Sequence, residues 1–430
     1  MSFESASNHA EYQQFLELQK VFKVYYKGVN MAEACGADII GITVNGEHKD
    51  LYHIACELLK RVDAESLKEA FGKGGSVCSY GVKGRKDHEK LSMMISQSIE
   101  GNERVVLKYK YKIGALARLP KYLRIVRKGL KCAFKEQLFV ASQMAAYSKV
   151  IDDLDKAFAG TDLSGKSYIP FCAPAYTEAL LTLYLKNKGV RTYCTLHGNF
   201  GRYKNKIAND VVNGANITSD YVLTFGETQR NDLIRDFGMD GSRIFAAGNP
   251  KYPKKEIRMR NEYKRCVIIG GISLYDKDLA ELFPVAKEAK EKLGISFALR
   301  LHPLSAITRE EMEPWKDAIT LLDNTNTINE MLGSGEYDFA ITHDTATYYE
   351  CMYYGVKPLR WGRNENLGFE GLDDKFNNFE EFENIINKSK QKRADEISQE
   401  AENLLVNVFG MGINRYNEYI NGTKQDETSN

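Results

Sequence analysis

Three of the seven histidines, His197, His302 and His343, stand at or just beyond the end of a predicted β-strand. Imidazole exchanges a proton close to neutral pH, so it suits acid–base catalysis, and it also hydrogen-bonds to anions. In parallel α/β sheets, ligands bind outside the carboxyl ends of the strands. The positions of these side chains therefore make them candidates for a site, although a lone histidine is more often structural.

A hydroxyl-rich segment, Asp344-Thr345-Ala346-Thr347, links a predicted strand to a predicted helix. The free backbone N–H groups and positive dipole at a helix start attract anions, and the Thr345 and Thr347 hydroxyls add donors beside them. This pattern predicts a phosphate cradle. The same residues also suit simple N-capping by Asp344 or Thr345, which needs no ligand. The sequence leaves both interpretations open.

A glycine-containing turn, Gly270-Gly271-Ile272-Ser273, lies between another predicted strand and helix. Its glycines allow the backbone to approach a phosphate or a sugar ring closely, so we count Gly270, Gly271 and Ser273 as donor-binding candidates. The turn matches neither Gly-x-Gly-x-x-Gly nor a P-loop, so it predicts no NAD or ATP site. The Asp-x-Asp strings at 153–155 and 276–278 fall on predicted solvated helix faces. We therefore predict no metal and no cofactor.

Strands and helices alternate from about residue 167 onwards, with glycine-containing loops between them. This alternation is typical of a parallel α/β sheet. A charged, proline-containing connection at 249–263 interrupts it once. The predicted strands are Ser167–Cys172, Arg191–Leu196, Tyr221–Phe225, Arg243–Ala247, Cys266–Ile269, Phe297–Leu301, Ile319–Leu322, Tyr337–Thr342 and Pro358–Trp361.

The first 160 residues are predicted to be mainly helical, with one short apolar strand, Ala37–Val44, near the N-terminus. Hydrophobic residues at helical spacing indicate the helices. These predicted helices are 9–26, 51–62, 88–99 and 137–158.

Together these elements predict an α/β fold of the GT-B type, two Rossmann-like domains facing a cleft. We assign residues 1–250 to an acceptor-side domain with a helical N-terminal region. Residues 251–395 are assigned to a nucleotide-donor domain, 396–421 to C-terminal helices and 422–430 to a disordered tail.

The composition excludes several classes of protein. The 430 residues include 59 Lys plus Arg and 58 Asp plus Glu, which excludes a globally basic nucleic-acid-binding surface. No apolar run approaches the roughly 20 residues of a membrane-spanning helix. The N-terminus has neither the basic nor the apolar region of a signal peptide, and the eight cysteines form no Cys-x-x-Cys pair. These features predict a cytoplasmic protein.

The segment 104–136 is locally very basic and predicts an amphipathic helix that begins near Pro120. Its apolar residues Leu123, Val126, Leu130 and Phe134 recur at steps of three and four. This pattern suits a peripheral contact with an anionic membrane or a lipid-linked acceptor, and it equally suits a helix packed on its own domain. No RNA-binding motif accompanies it, so nucleic acid is not a predicted partner. The flanking cations are Lys121, Arg124, Arg127, Lys128 and Lys131.

Four segments carry a resemblance to a known family. They are Thr195–Gly198, Ile244–Pro250, Arg300–Pro303 and the longer run Ala340–Glu350, which Tyr354–Pro358 follows. Their order resembles inverting GT-B transferases of bacterial surface polysaccharides. It is similar to teichoic-acid CDP-glycerol glycerophosphotransferases and to bacterial sialyl- and polysialyltransferases. The resemblance covers roughly residues 165–360.

The resemblance implies roles for particular residues. In those families a His-Pro pair and a hydroxyl pair at a helix start hold the nucleotide phosphates of the donor. Here that role would fall on His302-Pro303 and on Thr345 and Thr347, which Ala346 separates. Glu350, one turn further along the helix, is a candidate for the ribose or the base.

Inverting transfer needs a base for the acceptor hydroxyl and hydrogen-bond donors or positive charge for the leaving phosphate, without a metal. His197 is the first candidate for this base and Glu178 is the second. The sequence thus predicts a glycosyltransferase that uses a CMP- or CDP-type sugar donor and a surface glycan or lipid-linked acceptor.

Three alternatives remain open at this stage. A CDP-glycerol-type transferase would move a polyol phosphate instead of a sugar. A UDP-N-acetylglucosamine 2-epimerase shares the expected architecture, but its reaction needs a set of carboxylates that we do not find complete. A non-enzymatic membrane-surface assembly protein would use only the basic helix.

Overall fold

Two six-stranded parallel sheets organise the chain. The computed structural model describes residues 10–43, 46–82, 84–174, 176–196, 198, 214–271, 273–362 and 369–422. These residues divide into two compact units. The first unit comprises the described residues of Met1–Pro253 and Gly412–Asn430, and the second comprises those of Lys254–Met411.

The first unit holds a sheet with the strand order β10-β9-β8-β7-β4-β5, in which each neighbouring pair is parallel. Two short antiparallel pairs, β1 with β2 and β3 with β6, lie outside this sheet. The strands are β1 Tyr25–Tyr26, β2 Val29–Asn30, β3 Lys60–Val62, β4 Ser76–Tyr80, β5 Asn102–Val106, β6 Tyr109–Tyr111, β7 Ser167–Pro170, β8 Arg191–Thr195, β9 Tyr221–Thr224 and β10 Ile244–Ala246.

Most of the described helices of the first unit pack against the long helix Phe134–Ala157, which is buried on most of its circumference and lies in the main hydrophobic core. The helices before the connection to the second unit are α1 Ala10–Val21, α2 Met31–Ala34, α3 Gly36–Thr43, α4 Leu51–Leu59, α5 Ala64–Lys73, α6 Lys86–Gln97, α7 Leu119–Gly129, α8 Phe134–Ala157, α9 Tyr176–Asn187 and α10 Glu227–Phe237.

The N-terminal region differs from its sequence prediction. The predicted strand Ala37–Val44 is the helix α3 as far as Thr43, and Val44 lies outside the described residues. A short apolar run that is buried on all sides shows no period, so the sequence alone cannot distinguish a strand from a helix. The predicted helix 51–62 ends at Leu59, because Lys60–Val62 pairs with β6. The sequence prediction also missed β4 and β5, which extend the parallel sheet.

The second unit holds a sheet with the order β13-β12-β11-β14-β15-β16, again parallel between all neighbours. Its strands are β11 Arg265–Ile269, β12 Ser296–Arg300, β13 Ile319–Leu321, β14 Phe339–Thr342, β15 Lys357–Trp361 and β16 Lys375–Phe376. Its helices are α11 Asp276–Leu293, α12 Arg309–Met312, α13 Ile328–Gly333, α14 Ala346–Tyr353, α15 Phe379–Gln391 and α16 Ala394–Phe409.

The chain returns to the first unit after α16. The last described helix, α17 (Tyr416–Asn421), buries Tyr416, whose hydroxyl donates a hydrogen bond to the Gly248 carbonyl at 2.8 Å. Gly248 has φ +90°, and a Cβ there would lie 1.9 Å from the Ile413 carbonyl oxygen, so only glycine fits this crossing. The helices predicted at 396–421 therefore belong to two different units, and residues 423–430 lie outside the described part.

Within the described residues, each helix is too short or too polar to cross a lipid bilayer.

Candidate functional site

Three neighbouring strands of the second unit, β12, β11 and β14, end at the same edge of the sheet because they are parallel. Gly270 follows β11, and its N–H donates to the Arg300 carbonyl at the end of β12, at 2.9 Å. A Cβ on Gly270 would lie 3.6 Å from the backbone nitrogen of His302. The hydrogen bond from Gly270 therefore joins the ends of β11 and β12, and the loop after β12 lies within van der Waals reach of Gly270.

His302 has a defined hydrogen-bonding direction. Its Nδ1 accepts a hydrogen bond from the Leu304 N–H at 3.0 Å, which assigns the proton of the neutral ring to Nε2. The ring is half-buried, and the following Pro303 is exposed. His302 therefore offers an N–H donor at the edge of the sheet, as binding of a phosphate oxygen requires.

His343, the third histidine at a strand end, has a structural environment. Its ring stacks on Tyr275 with centroids 4.7 Å apart, and its Nδ1 lies 3.2 Å from the Trp361 carbonyl oxygen. Burial lowers the pKa of His343, which favours the neutral ring. The stack joins the loop after β14 to the turn before α11, so His343 positions the loops of the site.

At the start of α14, Thr345 does not cap the helix with its side chain. Thr345 is the N-cap residue with extended backbone, but its hydroxyl makes no capping hydrogen bond within the described structure. The Asp344 carboxylate faces two cations instead, with oxygens 3.6 Å from Arg360 Nη1 and 3.6 Å from Lys375 Nζ. Thr347 lies half-buried in the first turn. The Thr345 hydroxyl is therefore not used to cap α14.

A charged network that the sequence prediction missed lies beside this helix start. Arg360, near the end of β15, donates through Nε to Asp374 at 2.7 Å, and the Tyr348 hydroxyl donates to the other Asp374 oxygen. Burial raises the pKa of Asp374 to about 6, although Arg360 opposes this effect. The sequence feature that could have identified this network is the position of Arg360 near the end of a predicted strand. Arg360 and Lys375 are therefore paired with the carboxylates of Asp374 and Asp344, and these four groups form a charged network beside the start of α14.

The turn between β11 and α11 also has a defined arrangement. Ser273 is exposed in a 3-10 turn, and a Cβ on Gly271 would lie 2.6 Å from the Tyr275 ring. The Asp276 carboxylate accepts hydrogen bonds from the Ser305 hydroxyl and the Ala306 N–H, at 2.7 and 2.6 Å. The prediction that Asp276 is merely solvated is therefore wrong, because its carboxylate joins the loop after β12 to the start of α11.

The other Asp-x-Asp string, 153–155, is engaged in ion pairs and is not simply solvated. Asp153 pairs with Lys149, and Asp155 lies 2.8 Å from Lys27 Nζ and 2.9 Å from Lys188 Nζ. In the described part of the chain, no three His, Cys, Asp or Glu side chains come together as a metal site.

Glu178 is the catalytic candidate of the first unit that the structure describes. It lies in the first turn of α9 and is 1% exposed. Its carboxylate accepts from the Ser79 hydroxyl at 2.9 Å and from the N–H groups of Phe171 and Cys172, both at 3.2 Å. Burial raises its pKa to about 7, against the hydrogen bonds that lower it. Such a group exchanges a proton near neutral pH.

The remaining catalytic candidate, His197, lies outside the described residues. Glu350 lies half-buried in α14, one turn beyond Thr347. The structure therefore brings Gly270, His302 and Thr345 to one sheet edge, and Glu178 belongs to the other unit.

The basic helix α7 packs its apolar face inside the first unit. Tyr122 and Val126 are buried, as is Leu130 just beyond the helix, and all three belong to the core around α8. Phe134 starts α8 instead of continuing α7, and it is 56% exposed. The predicted apolar face is therefore occupied by the protein core. The cations Lys121, Arg124, Arg127, Lys128 and Lys131 are exposed.

Comparison with known proteins defines the fold. No protein-family model and no curated protein matches this sequence. A solved candidate UDP-N-acetylglucosamine 2-epimerase from Listeria monocytogenes is 13% identical, covers 83% of this chain and 97% of that chain, and has a TM-score of 0.50. The UDP-GlcNAc 2-epimerase of Neisseria meningitidis is 12% identical over 81% and 99% of the two chains, with a TM-score of 0.45.

A third solved structure, TarM from S. aureus, is 14% identical over 66% of this chain and 59% of that chain, with a TM-score of 0.43. The two parallel sheets and the likeness to the Listeria structure define an α/β fold of the GT-B type with two Rossmann-like domains, as the sequence predicts. At 13% identity this likeness defines the fold and not the reaction.

Proposed function

We propose that this protein is a metal-independent inverting glycosyltransferase. It moves a sugar from a nucleotide-activated donor, with CMP- or CDP-type donors favoured, to a cell-surface glycan or lipid-linked acceptor. The observation that carries this proposal is the set of anion-binding groups at one edge of the second sheet. The His302 Nε2–H and the start of α14, where the Thr345 hydroxyl makes no capping hydrogen bond, suit a nucleotide phosphate.

Each donor-site residue has a role in this proposal. His302, with Thr345 and Thr347, stabilises the negative charge that develops on the leaving phosphate. Gly270, Gly271 and Ser273 let the backbone approach the sugar phosphate, and Glu350 holds the ribose or the base. Pro303 fixes the backbone after His302.

The acceptor hydroxyl loses its proton to a base of the first unit as its oxygen bonds to the anomeric carbon. The bond between that carbon and the phosphate oxygen breaks at the same time, and the nucleotide leaves with the electron pair. His197 is the first candidate for the base, and Glu178 is the second because its raised pKa suits proton uptake near neutral pH.

A nucleotide-sugar 2-epimerase is the second candidate function. The fold shared with the Listeria protein favours it, because that protein carries this assignment and 97% of its chain is covered. A polyol-phosphate transferase would use the same phosphate groups. An acceptor-dependent release of nucleotide would support a transferase, whereas formation of the 2-epimer from UDP-N-acetylglucosamine without an acceptor would support the epimerase.

We further propose that the protein works in the cytoplasm, at the inner face of the plasma membrane. The exposed cations of α7 support this location, since basic side chains attract anionic headgroups. The non-enzymatic alternative, an assembly protein of the membrane surface, predicts vesicle binding without any nucleotide binding.

Nucleotide binding tests the proposed donor site. The unfolding temperature is measured with CMP, CDP, UDP, GDP and TDP, and a ligand at 100 times its Kd adds roughly 2.7 kcal/mol of stability. His302→Ala should weaken binding of the best nucleotide by roughly 1.5–3 kcal/mol, because it removes a hydrogen bond to an anion. His53→Ala, which changes an exposed histidine of the first unit, is the matched control. Full affinity in His302→Ala would remove the phosphate assignment.

A further inference from the structure

A cavity of about 280 Å³ opens in the first unit. It lies between α4, the β3–β6 ribbon and the end of β4, at the sheet edge where parallel α/β proteins bind ligands. Residues that line it and carry the argument are Cys56, Glu57, Lys60, Gly81, Tyr109 and Tyr111.

The cavity contains an unsatisfied carboxylate oxygen. Glu57 Oε1 pairs with Lys60 Nζ at 3.0 Å, and Glu57 Oε2 is buried with no hydrogen-bond partner among the described residues. Buried polar atoms in native proteins are nearly always hydrogen-bonded, so Oε2 can accept from a donor that enters the cavity, either water or a ligand hydroxyl. The pairing with Lys60 also leaves the pair without net charge, which favours a neutral polar ligand over an anion.

Two tyrosines give the cavity an aromatic wall. Tyr109 and Tyr111 are two residues apart on β6, so both side chains project from the same face of that strand. Tyr109 is half-buried, and Lys60 Nζ lies 4.8 Å from its ring centre. Tyr111 is 55% exposed. An exposed ring beside a carboxylate and an ammonium group suits a sugar, whose C–H face stacks on the ring while its hydroxyls donate and accept hydrogen bonds.

Gly81 connects the cavity to the catalytic candidate. A Cβ on Gly81 would lie 3.0 Å from the Tyr109 hydroxyl oxygen and 3.4 Å from Cδ of Glu178. The Glu178 carboxylate thus lies directly behind the cavity wall.

We propose that this cavity binds one sugar ring of the acceptor glycan. That the bound glycan is the acceptor rests on the proposed transferase function. Glycan binding itself requires neither the sugar donor nor turnover. The two proposals are therefore tested separately.

Binding of the full-length protein to an immobilised glycan array, without nucleotide, is the first test. Tyr111→Ala and Glu57→Gln should each weaken binding of the captured glycan by roughly tenfold, since they remove a stacking surface and a hydrogen-bond acceptor. Tyr25→Ala is the matched control, because Tyr25 is 62% exposed in the same unit and outside the cavity. It should bind like the parent protein.

Thiol labelling gives a second measurement that needs no substitution in the cavity wall. Cys56 lines the cavity, and Cys132 is the other partly exposed cysteine. The captured glycan should slow alkylation of Cys56 by iodoacetamide and leave alkylation of Cys132 unchanged. Mass spectrometry of the labelled peptides distinguishes the two sites.

The outcomes separate the two proposals. Glycan capture that needs Tyr111 and protects Cys56 supports the acceptor cavity, even if no nucleotide binds and the transferase proposal fails. No captured glycan, or equal capture by the parent protein and both variants, overturns the cavity proposal and leaves the donor site untouched.

Discussion

At the scale of single residues, Glu178 couples the stability of the first unit to pH. Its pKa is about 7 in the folded chain, above its ordinary value of 4.5, because burial penalises the charged carboxylate. The folded state therefore holds this proton more tightly than the unfolded state does. The resulting stability is fully present below about pH 4.5 and is lost as the pH rises through 7.

We predict that Glu178→Gln removes this pH dependence. Between pH 5 and pH 7, the free energy of unfolding of the parent protein should fall relative to the variant, by up to about 1.4 kcal/mol per pH unit. Urea unfolding at four pH values measures it. Glu227→Gln, an exposed carboxylate in the first turn of α10, is the control. Parallel pH profiles for the parent and Glu178→Gln would contradict the prediction.

Thr345 and Thr327 provide a matched pair of N-cap threonines. Thr327 caps α13 with its hydroxyl in a capping box with Glu330, whereas the Thr345 hydroxyl caps nothing within the described structure. Thr327→Ala should therefore cost about 1 kcal/mol of stability, and Thr345→Ala much less. Thr345→Ala should instead weaken nucleotide binding by roughly tenfold, the effect of losing a hydrogen bond to a charged group. Thermal unfolding with and without nucleotide measures both.

The reverse pattern would change the interpretation of this helix start. If Thr345→Ala destabilises the protein as much as Thr327→Ala and binds nucleotide normally, Thr345 is a helix cap and not a ligand for phosphate.

At the scale of elements, the helix α7 exposes its cationic side chains to solvent and packs its apolar face in the core of the first unit. Its membrane contact should therefore be electrostatic, without insertion of that face. Changing Lys121, Arg124, Arg127 and Lys128 to Gln should weaken binding to anionic vesicles by about 1 kcal/mol per removed charge, and salt should weaken binding of the parent protein. Vesicle sedimentation measures both effects.

The control for α7 removes the same number of charges elsewhere. Four exposed lysines of the second unit, changed to Gln, should leave vesicle binding unchanged; they are Lys277, Lys287, Lys388 and Lys390. A parent protein that does not sediment with anionic vesicles at low salt would disprove the membrane contact.

At the scale of the whole molecule, the two units differ in chain continuity. The second unit is one uninterrupted segment, Lys254–Met411, with its own core, whereas the first unit is completed by the segment after Met411. In that segment Tyr416 and Ile420 are fully buried, and Tyr419 stacks on Phe245 with centroids 4.7 Å apart.

We predict that residues 254–411, expressed alone, fold and bind nucleotide with the affinity of the full chain, because the proposed phosphate ligands all lie in this segment. Circular dichroism and nucleotide titration measure this. Conversely, ending the full chain at Met411 should lower the unfolding temperature of the first unit, since α17 is lost. An unfolded 254–411 fragment would show that the second unit depends on the rest of the chain.

The alternation of strands and helices from about residue 167 to 361 can be predicted from the sequence. Hydrophobic period, helix caps and glycine turns are local features, so they can be identified without knowing which strands pair. They also located the ends of β11, β12 and β14. Because all strands of a parallel sheet end at one edge, the sequence predicted that Gly270, His302 and Thr345 lie on that edge. The strand order β12-β11-β14, which makes them neighbours, came from the structure.

Other features depend on contacts between segments that are distant in sequence. Strands β4 and β5 were missed and α3 was mistaken for a strand, since pairing with a distant segment, and not local composition, selects between the two. The Arg360–Asp374 network and the orientation of the His302 ring depend on contacts between loops. The cavity at Glu57 likewise combines α4, β4 and β6, which lie far apart in sequence. Burial where such elements meet determines the protonation of side chains and leaves some of their polar atoms without a partner in the described chain.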